Sequence, residues 1–296
     1  MVTEPPSKRA KTDGEAATER PSPSPNGEGA NGGGLKSGGP SDDALLDPIS
    51  PDALRRSDEL AASYRDARPY PHGLIRGFCR EGFLEDILAE LKHNSKVKFK
   101  ETDLFRVYQS IDLGNLKDDS ELAAKIPALM KLKRAIYSPE YRSFVEKLAG
   151  LEPGTLTDEV DCAANCHAKG CHLLCHDDVI GTRKVSYIIY LTDPSPTWTD
   201  EDGGRLELYD AVPDGDGDAT RRVPGALPAR TILPEFNSMA FFAVEPGVSF
   251  HSVQEVFGDR PRLSLQGWYH AGESPGRMED ATLRRLKSTG RGEDTE

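Results

Sequence analysis

Two stretches decide the fold: Cys171-His172-Leu173-Leu174-Cys175-His176-Asp177-Asp178 and, shortly after, Lys184-Val185-Ser186-Tyr187-Ile188-Ile189-Tyr190-Leu191. Each is a short run of apolar, β-branched or aromatic residues bounded by Gly, Asp or Thr, the pattern of a strand rather than of a helix. Working outward, the same pattern recurs at Val160 to His167, Gly204 to Tyr209, Thr231 to Leu233, Ser238 to Ala243, Ser249 to Val256 and Arg262 to Tyr269. Some eight short strands in this space predict a sandwich or jelly roll. The polar stretch Asp210 to Arg230 interrupts them. Its Asp214-Gly215-Asp216-Gly217-Asp218 resembles a calcium loop but has Leu227 near the place of the final acidic ligand, so it reads as a solvated insertion.

Upstream of the strands the period changes. Ser50-Pro51-Asp52 is a helix-start signal, and helix formers run to about Ser63. Gly73 to Phe78 reads as a strand, Phe83, Ile87, Leu88 and Leu91 recur at helical spacing within Arg80 to His93, and Lys96 to Ile111 is strand-like. Helices are predicted over Ser120 to Ala135 and Pro139 to Leu148. The fold class is therefore α+β, mainly β, with N-terminal helices bracing the strands.

The chain of 296 residues is long enough for a sizeable core. With 37 Lys+Arg against 49 Asp+Glu it carries a net charge of −12, which disfavours a nucleic-acid backbone as the main ligand. No apolar run is long enough to span a membrane and no signal-peptide core stands at the N-terminus, so a location in the cytoplasm and/or nucleus is expected. Residues 1–46, rich in Gly, Ser, Pro and Ala, are expected to form a disordered tail. Within it, Lys8-Arg9-Ala10-Lys11 is a candidate nuclear address. The division expected is a tail (1–46), a folded domain (47–273) with helical support (47–157) and a jelly-roll core (158–271), and a charged segment (274–296).

The chemistry sits at the end of a strand. In extended chain, residues i and i+2 share a face, so His176 and Asp178 are expected to converge and Asp177 to point away. His251, 75 residues later in another predicted strand, would complete the two-histidine, one-carboxylate triad of non-haem iron(II) oxygenases, which leaves three coordination positions open. Such a string also occurs in ordinary cores, where a strand histidine is simply hydrogen-bonded. Arg262 adds weight, because an inward-facing guanidinium fork suits the far carboxylate of a dicarboxylate cosubstrate. In a plain hairpin, His251 and Arg262 would be several residues out of register, whereas a jelly roll lets both look inward. Ser264 shares the face of Arg262 and could help hold the anion. Trp268 has the same parity and is either a pocket wall or ordinary core.

These blocks, Leu173 to Asp178, Tyr187-Ile188-Ile189-Tyr190-Leu191, Gly203-Gly204-Arg205-Leu206-Glu207-Leu208-Tyr209, Phe250-His251-Ser252-Val253, and Arg262-Leu263-Ser264 through Gly267-Trp268-Tyr269-His270, resemble the catalytic domain of the 2-oxoglutarate- and iron(II)-dependent prolyl 3-hydroxylases. A weaker likeness extends back to Pro71-His72. In eukaryotes that family modifies a decoding-centre protein of the small ribosomal subunit. The resemblance implies a double-stranded β-helix, Fe(II) held by His176, Asp178 and His251, and the distal carboxylate of 2-oxoglutarate bound by Arg262 and Tyr190. It also implies dioxygen as oxidant, ascorbate as a supporting reductant, a ribosomal protein as partner, and no catalytic side chain beyond the metal centre. Members of the family usually continue into a second, non-catalytic β-helix. Here the chain ends about 26 residues after His270 in a charged Arg-, Lys- and Glu-rich segment, so that second domain is expected to be absent.

Two rival readings accompany this one. Cys162, Cys166, His167, Cys171, His172, Cys175 and His176 supply seven possible ligands for a structural zinc, although their spacing lacks paired CxxC knuckles. The other rival keeps the jelly roll as a catalytically idle interaction or oxygen-sensing module.

Overall fold

The computed structural model describes residues 45–94, 96–214 and 221–273. The basic cluster Lys8 to Lys11, nearly all of the 1–46 tail, the centre of the acidic insertion and the 274–296 segment lie outside the described residues. Fourteen strands are described: β1 (His72–Arg76), β2 (Lys98–Glu101), β3 (Phe105–Gln109), β4 (Leu156–Val160), β5 (Ala163–His167), β6 (His172–His176), β7 (Arg183–Tyr190), β8 (Leu206–Leu208), β9 (Ala211–Pro213), β10 (Arg222–Pro224), β11 (Arg230–Ile232), β12 (Ser238–Ala243), β13 (His251–Val253) and β14 (Arg262–Ala271).

Twelve of them form one antiparallel sheet in the order β1-β12-β7-β14-β5-β3-β6-β13-β8-β11, with β2 added on β3 and β4 on β14. The sheet curls until its ends face each other. Ile188, Tyr190, Ala240 and Phe242 from β7 and β12 pack across the interior against Leu206, Leu208 and Ile232 from β8 and β11. This is the jelly roll that the short strands predict. β13 lies between β6 and β8, and β14 between β7 and β5, so His251 and Arg262 are not hairpin partners and both side chains turn inward.

Alternation explains why β7 is buried along its apolar length. Val185, Tyr187 and Ile189 face the helices, joined by Met239, Phe241, Leu265 and Tyr269 from the neighbouring strands. Ser186, Ile188 and Tyr190 face the interior. A strand covered on both sides needs a continuous apolar run, and β7 has one. The covering helices, Pro51–Arg55, Ser57–Asp66, Phe83–Asn94, Pro127–Ile136 and Pro139–Ala149, contribute Leu84, Ile87, Leu129, Leu132, Tyr141 and Leu148 to that outer core. The last of these helices has clear limits: the Ser138 hydroxyl accepts from the Tyr141 N–H, Pro139 opens the first turn, and Gly150 closes it at φ 66°.

Several boundaries differ from expectation. Lys96 to Ile111 is the hairpin β2–β3, turned where Thr102 Oγ1 accepts from the N–H of Leu104. Ser120 to Ala135 is two helices, Glu121–Lys125 and Pro127–Ile136, because a proline cannot donate to the preceding turn. Val160 to His167 is split between β4 and β5. The polar interruption after Tyr209 contains the paired strands β9 and β10, and Asp214 there binds Arg221 at 3.0 Å rather than standing open as a ligand. The segment 47–157 also does more than brace, since β1 pairs with β12 and β3 inserts between β5 and β6.

Gly267 marks the tightest backbone approach. A Cβ there would collide with the carbonyl oxygen of Asp161 at the β4–β5 junction, which is itself tied down by the Asp161 N–H to Trp268 carbonyl bond of 2.9 Å. Gly267→Ala is expected to lower stability by about 1–3 kcal/mol, as other overpacked cores do, and a fall in the urea midpoint at unchanged m-value checks it.

Candidate metal centre

β6 and β13 are neighbours, and His176 pairs directly with His251 across them. Their rings lie 4.2 Å apart between centroids. Each imidazole is oriented in the same way: His176 Nδ1 bonds the Leu174 carbonyl and His251 Nδ1 the Ser249 carbonyl, both at 2.9 Å. A carbonyl can only accept, so Nδ1 carries the proton and Nε2 presents its lone pair inward, as a metal ligand must. Asp178 completes the set, with Oδ1 3.1 Å from His176 Nε2 and Oδ2 3.4 Å from His251 Nε2. The three ligand atoms all lie within 4.8 Å of one another, and among the described residues no other His, Cys, Asp and Glu group converges in this way.

Convergence of His176 and Asp178 is reached by a different route from the one the sequence suggests. β6 ends at His176, and Asp178 sits at φ 62°, in the left-handed region that Asp tolerates better than most side chains. A turn, not strand alternation, swings the carboxylate back over the imidazole. Asp177 does point elsewhere: its carboxylate accepts from the N–H of Gly247 at 3.1 Å and fastens the loop that leads to β13.

Burial works to raise the Asp178 carboxyl, but His251 and His176 outweigh it and hold the group well below the usual carboxylate range. Burial likewise works to lower His176, and the Asp178 charge beside it more than compensates, so that imidazole is raised. A buried anion between two imidazoles is the donor chemistry of a divalent cation site.

The triad opens onto a cavity of about 280 Å³, close to the lower end, roughly 300 Å³, of small-molecule sites. Trp268 lines it, as do Phe105, Val107, Ile180, Arg183 and Ile188. Trp268 is thus a pocket wall, and more: its Nε1–H donates to Asp178 Oδ2 at 2.9 Å.

Arg262, Ser264 and Tyr190 form a second cluster deeper in the interior. Arg262 is completely buried, its guanidinium carbon 5.1 Å from the centre of the Tyr190 ring, and NH1 donates weakly to His167 Nδ1 and Ser264 Oγ, both at 3.4 Å. Nε and NH2 of Arg262 and the Tyr190 hydroxyl have no hydrogen-bond partner. Gly204 makes room, for a Cβ there would stand 3.1 Å from Arg262 Cδ. An unsatisfied buried donor is costly enough to be rare, and here three cluster around one cation. That is a fit for an anionic group with several acceptor oxygens.

Arg262 does not itself line the cavity. His167 does, and links the two clusters. Burial and the nearby Arg262 charge hold His167 well below its ordinary range, so it is a neutral acceptor for the guanidinium. Sequence reading placed His167 only among zinc candidates; the signal that reveals its position is the register Arg262↔His167 between β14 and β5. The zinc reading itself finds no support among the described residues. All five cysteines are free thiols, and among the described residues none of them joins two other His, Cys, Asp or Glu side chains in a converging group.

Residues 162–270 match the sequence model of the 2OG-Fe(II) oxygenase superfamily. This domain belongs to that superfamily. Over 240 residues, 79% of its length, the chain is 44% identical to a prolyl 3,4-dihydroxylase, OGFOD1, of Ostreococcus tauri, of which it spans 44%. Over 207 residues, 69% of the chain, it is 34% identical to the prolyl 3-hydroxylase OGFOD1 of Xenopus laevis, of which it spans 36%. The chain therefore covers less than half the length of these curated relatives. Among solved structures, a Trichoplax adhaerens prolyl hydroxylase in complex with a hypoxia-inducible-factor peptide shares the fold, with a TM-score of 0.52 at 17% identity over 74% of this chain and 91% of that one. The oxygenase superfamily brings Fe(II), 2-oxoglutarate and dioxygen as its reactants, and the donor set and orphaned guanidinium described above suit the first two. No helix among the described residues is long and apolar enough to cross a membrane.

Proposed function

We propose that the chain is a 2-oxoglutarate- and Fe(II)-dependent dioxygenase that hydroxylates carbon 3 of a prolyl residue in a small-subunit ribosomal protein. The observation that carries the reaction class is the His176, Asp178, His251 triad facing a cavity backed by a buried, under-satisfied guanidinium. His176 and His251 would hold Fe(II) through Nε2 and Asp178 through a carboxylate oxygen. Arg262, with Tyr190 and Ser264, would hold the distal carboxylate of 2-oxoglutarate. The iron, with 2-oxoglutarate and dioxygen, supplies the oxidising power that inserts oxygen into a C–H bond and leaves succinate and carbon dioxide.

The remaining work belongs to the cavity walls. Trp268, Ile180, Phe105 and Val107 form an apolar enclosure in which a prolyl ring displaces water, and water exclusion protects the reaction from side chemistry. No side chain is required as general base, because the hydrogen leaves carbon without proton transfer to the protein. The prolyl substrate is supported by the relatives, which are prolyl hydroxylases, and the ribosomal protein by the likeness of the catalytic blocks.

Incubation with Fe(II), 2-oxoglutarate, ascorbate and a proline-containing peptide from a small-subunit ribosomal protein is expected to yield succinate and a peptide heavier by one oxygen atom. A gain of two oxygens favours a second reading, dihydroxylation, to which the 44% identity with a 3,4-dihydroxylase points. Succinate with an unchanged peptide mass would remove the prolyl assignment and leave the oxygenase class. Neither product from iron-loaded protein would leave an idle module.

A further inference from the structure

Asp178 is gripped by more than two imidazoles. While Trp268 Nε1 holds Oδ2 at 2.9 Å, the guanidinium of Arg183 lies over the indole, its central carbon 3.4 Å from the ring centroid, and Arg183 NH1 stands 3.9 Å from Asp178 Oδ1. Three separate pieces of chain, β14, the start of β7 and the turn after β6, thus meet at one carboxylate.

The position of Arg183 is built by an irregularity. Val185, Tyr187 and Ile189 point to the helices, so strict alternation would send Arg183 there too. The pairing of β14 with β7 instead slips between Tyr269 and His270: Trp268 faces Ser186, Tyr269 faces Val185, but His270 faces Arg183. The extra residue, Lys184, is a β-bulge, and a bulge reverses parity from that point on. Its consequence is that Arg183 turns into the cavity and onto Trp268.

We propose that Arg183 and Trp268 are positioning residues that make Asp178 a one-oxygen metal ligand. The indole N–H occupies Oδ2, the stacked guanidinium fixes the plane of the indole, and Oδ1 is left facing His176 Nε2 for the ion. The point matters for coordination number. A carboxylate binding through both oxygens would take one of the three positions that two histidines and a single oxygen leave open in a six-coordinate site, and the reaction proposed above needs all three. Cation–π stacking on a partly desolvated tryptophan is strong enough to hold such an orientation.

The inference rests on the metal-centre reading, so the test begins with Co(II) titration of the wild-type chain, followed by its visible absorption. Trp268→Phe keeps the ring and the stack and removes only the N–H. It is expected to bind Co(II) about 10–100-fold more weakly, the usual effect of losing a hydrogen bond to a ligating group, and to show an altered ligand-field spectrum, while the metal-free protein stays folded with a melting temperature lowered only by the loss of one hydrogen bond. Arg183→Met keeps apolar cover over the indole without charge, and is expected to shift affinity and spectrum in the same direction by a smaller factor. It decides the matter alone should Trp268→Phe not fold. Wild-type affinity and spectrum in the folded variants would overturn the positioning role while leaving the metal centre intact. A wild-type chain that takes up no Co(II) would overturn the metal centre, and this inference with it.

Discussion

Asp178→Ala is expected to abolish both turnover and metal retention, each by more than about 100-fold, the upper end of what even an outer hydrogen-bond partner of a ligand is worth. Asp178 is the single anion among the three converging groups, 4% exposed and flanked by the two imidazoles at 3.1 and 3.4 Å. Without it, two neutral nitrogens remain to hold a divalent cation against bulk water. The alanine would also inherit φ 62°, where a residue that cannot hydrogen-bond locally is strained by roughly 1–2 kcal/mol. Asp178→Asn separates the two effects, since its side-chain oxygen can still accept from Trp268 Nε1 and Asn tolerates the left-handed region. The asparagine variant should lose the attraction of the carboxylate for its two histidines but not the backbone strain, so it should be more stable than Asp178→Ala in the metal-free state and still fail to retain metal, as read by mass spectrometry of the native protein. Asp177→Ala is the control. It loses the bond to the Gly247 N–H, so the urea midpoint should fall by the equivalent of about 1 kcal/mol, while metal content and turnover persist.

That contrast between adjacent aspartates was legible in the sequence, although for a partly mistaken reason. Period-2 reasoning separates Asp177 from Asp178 correctly, but it assumes an extended chain through both, and β6 stops one residue earlier. What rescues the inference is that a left-handed turn also returns the chain toward its own strand. The apolar runs of β7 and β12 could be read directly, because strands buried on both faces leave a compositional mark. Inward alternation of Arg262, Ser264 and Trp268 followed from the same rule. Other features leave no local mark. β3 pairs with β5 and β6, over 50 residues away in sequence, and nothing in Phe105 to Gln109 names those partners. His167 and Arg183 became visible only through register: the first because it lies opposite Arg262, the second because one bulge reverses the face on which it would otherwise fall. Periodicity encodes which face a residue takes within an unbroken strand, and it is silent about slips between strands.

Arg262 offers the second large effect. In Arg262→Ala the requirement for 2-oxoglutarate should rise by roughly 30- to 5,000-fold, corresponding to about 2–5 kcal/mol for removing one partner of a buried, hydrogen-bonded charge pair. The structure argues that this guanidinium is kept for a ligand rather than for the fold. It is fully buried with no carboxylate partner, two of its nitrogens are unpaired, and the unpaired Tyr190 hydroxyl stands beside it. An isolated protein gains nothing from such an arrangement, since replacing buried charge by apolar side chains of similar size is often neutral or stabilising. Arg262→Met, which refills the volume, should therefore leave the metal-free, cosubstrate-free protein at least as stable as wild type. Tyr190→Phe should do the same while weakening cosubstrate binding less. Arg262→Lys, with a point charge in place of a planar fork, should recover only part of the affinity. The measurement is thermal denaturation with manganese(II) in place of iron and increasing 2-oxoglutarate. Wild type should be stabilised according to RT ln(1 + [L]/Kd), about 2.7 kcal/mol at a hundredfold excess over Kd, whereas Arg262→Met should gain no more than about 0.9 kcal/mol at the same concentration. If the methionine variant is stabilised by 2-oxoglutarate as strongly as wild type, the anion binds elsewhere in the cavity, and the unsatisfied guanidinium answers to some other ligand.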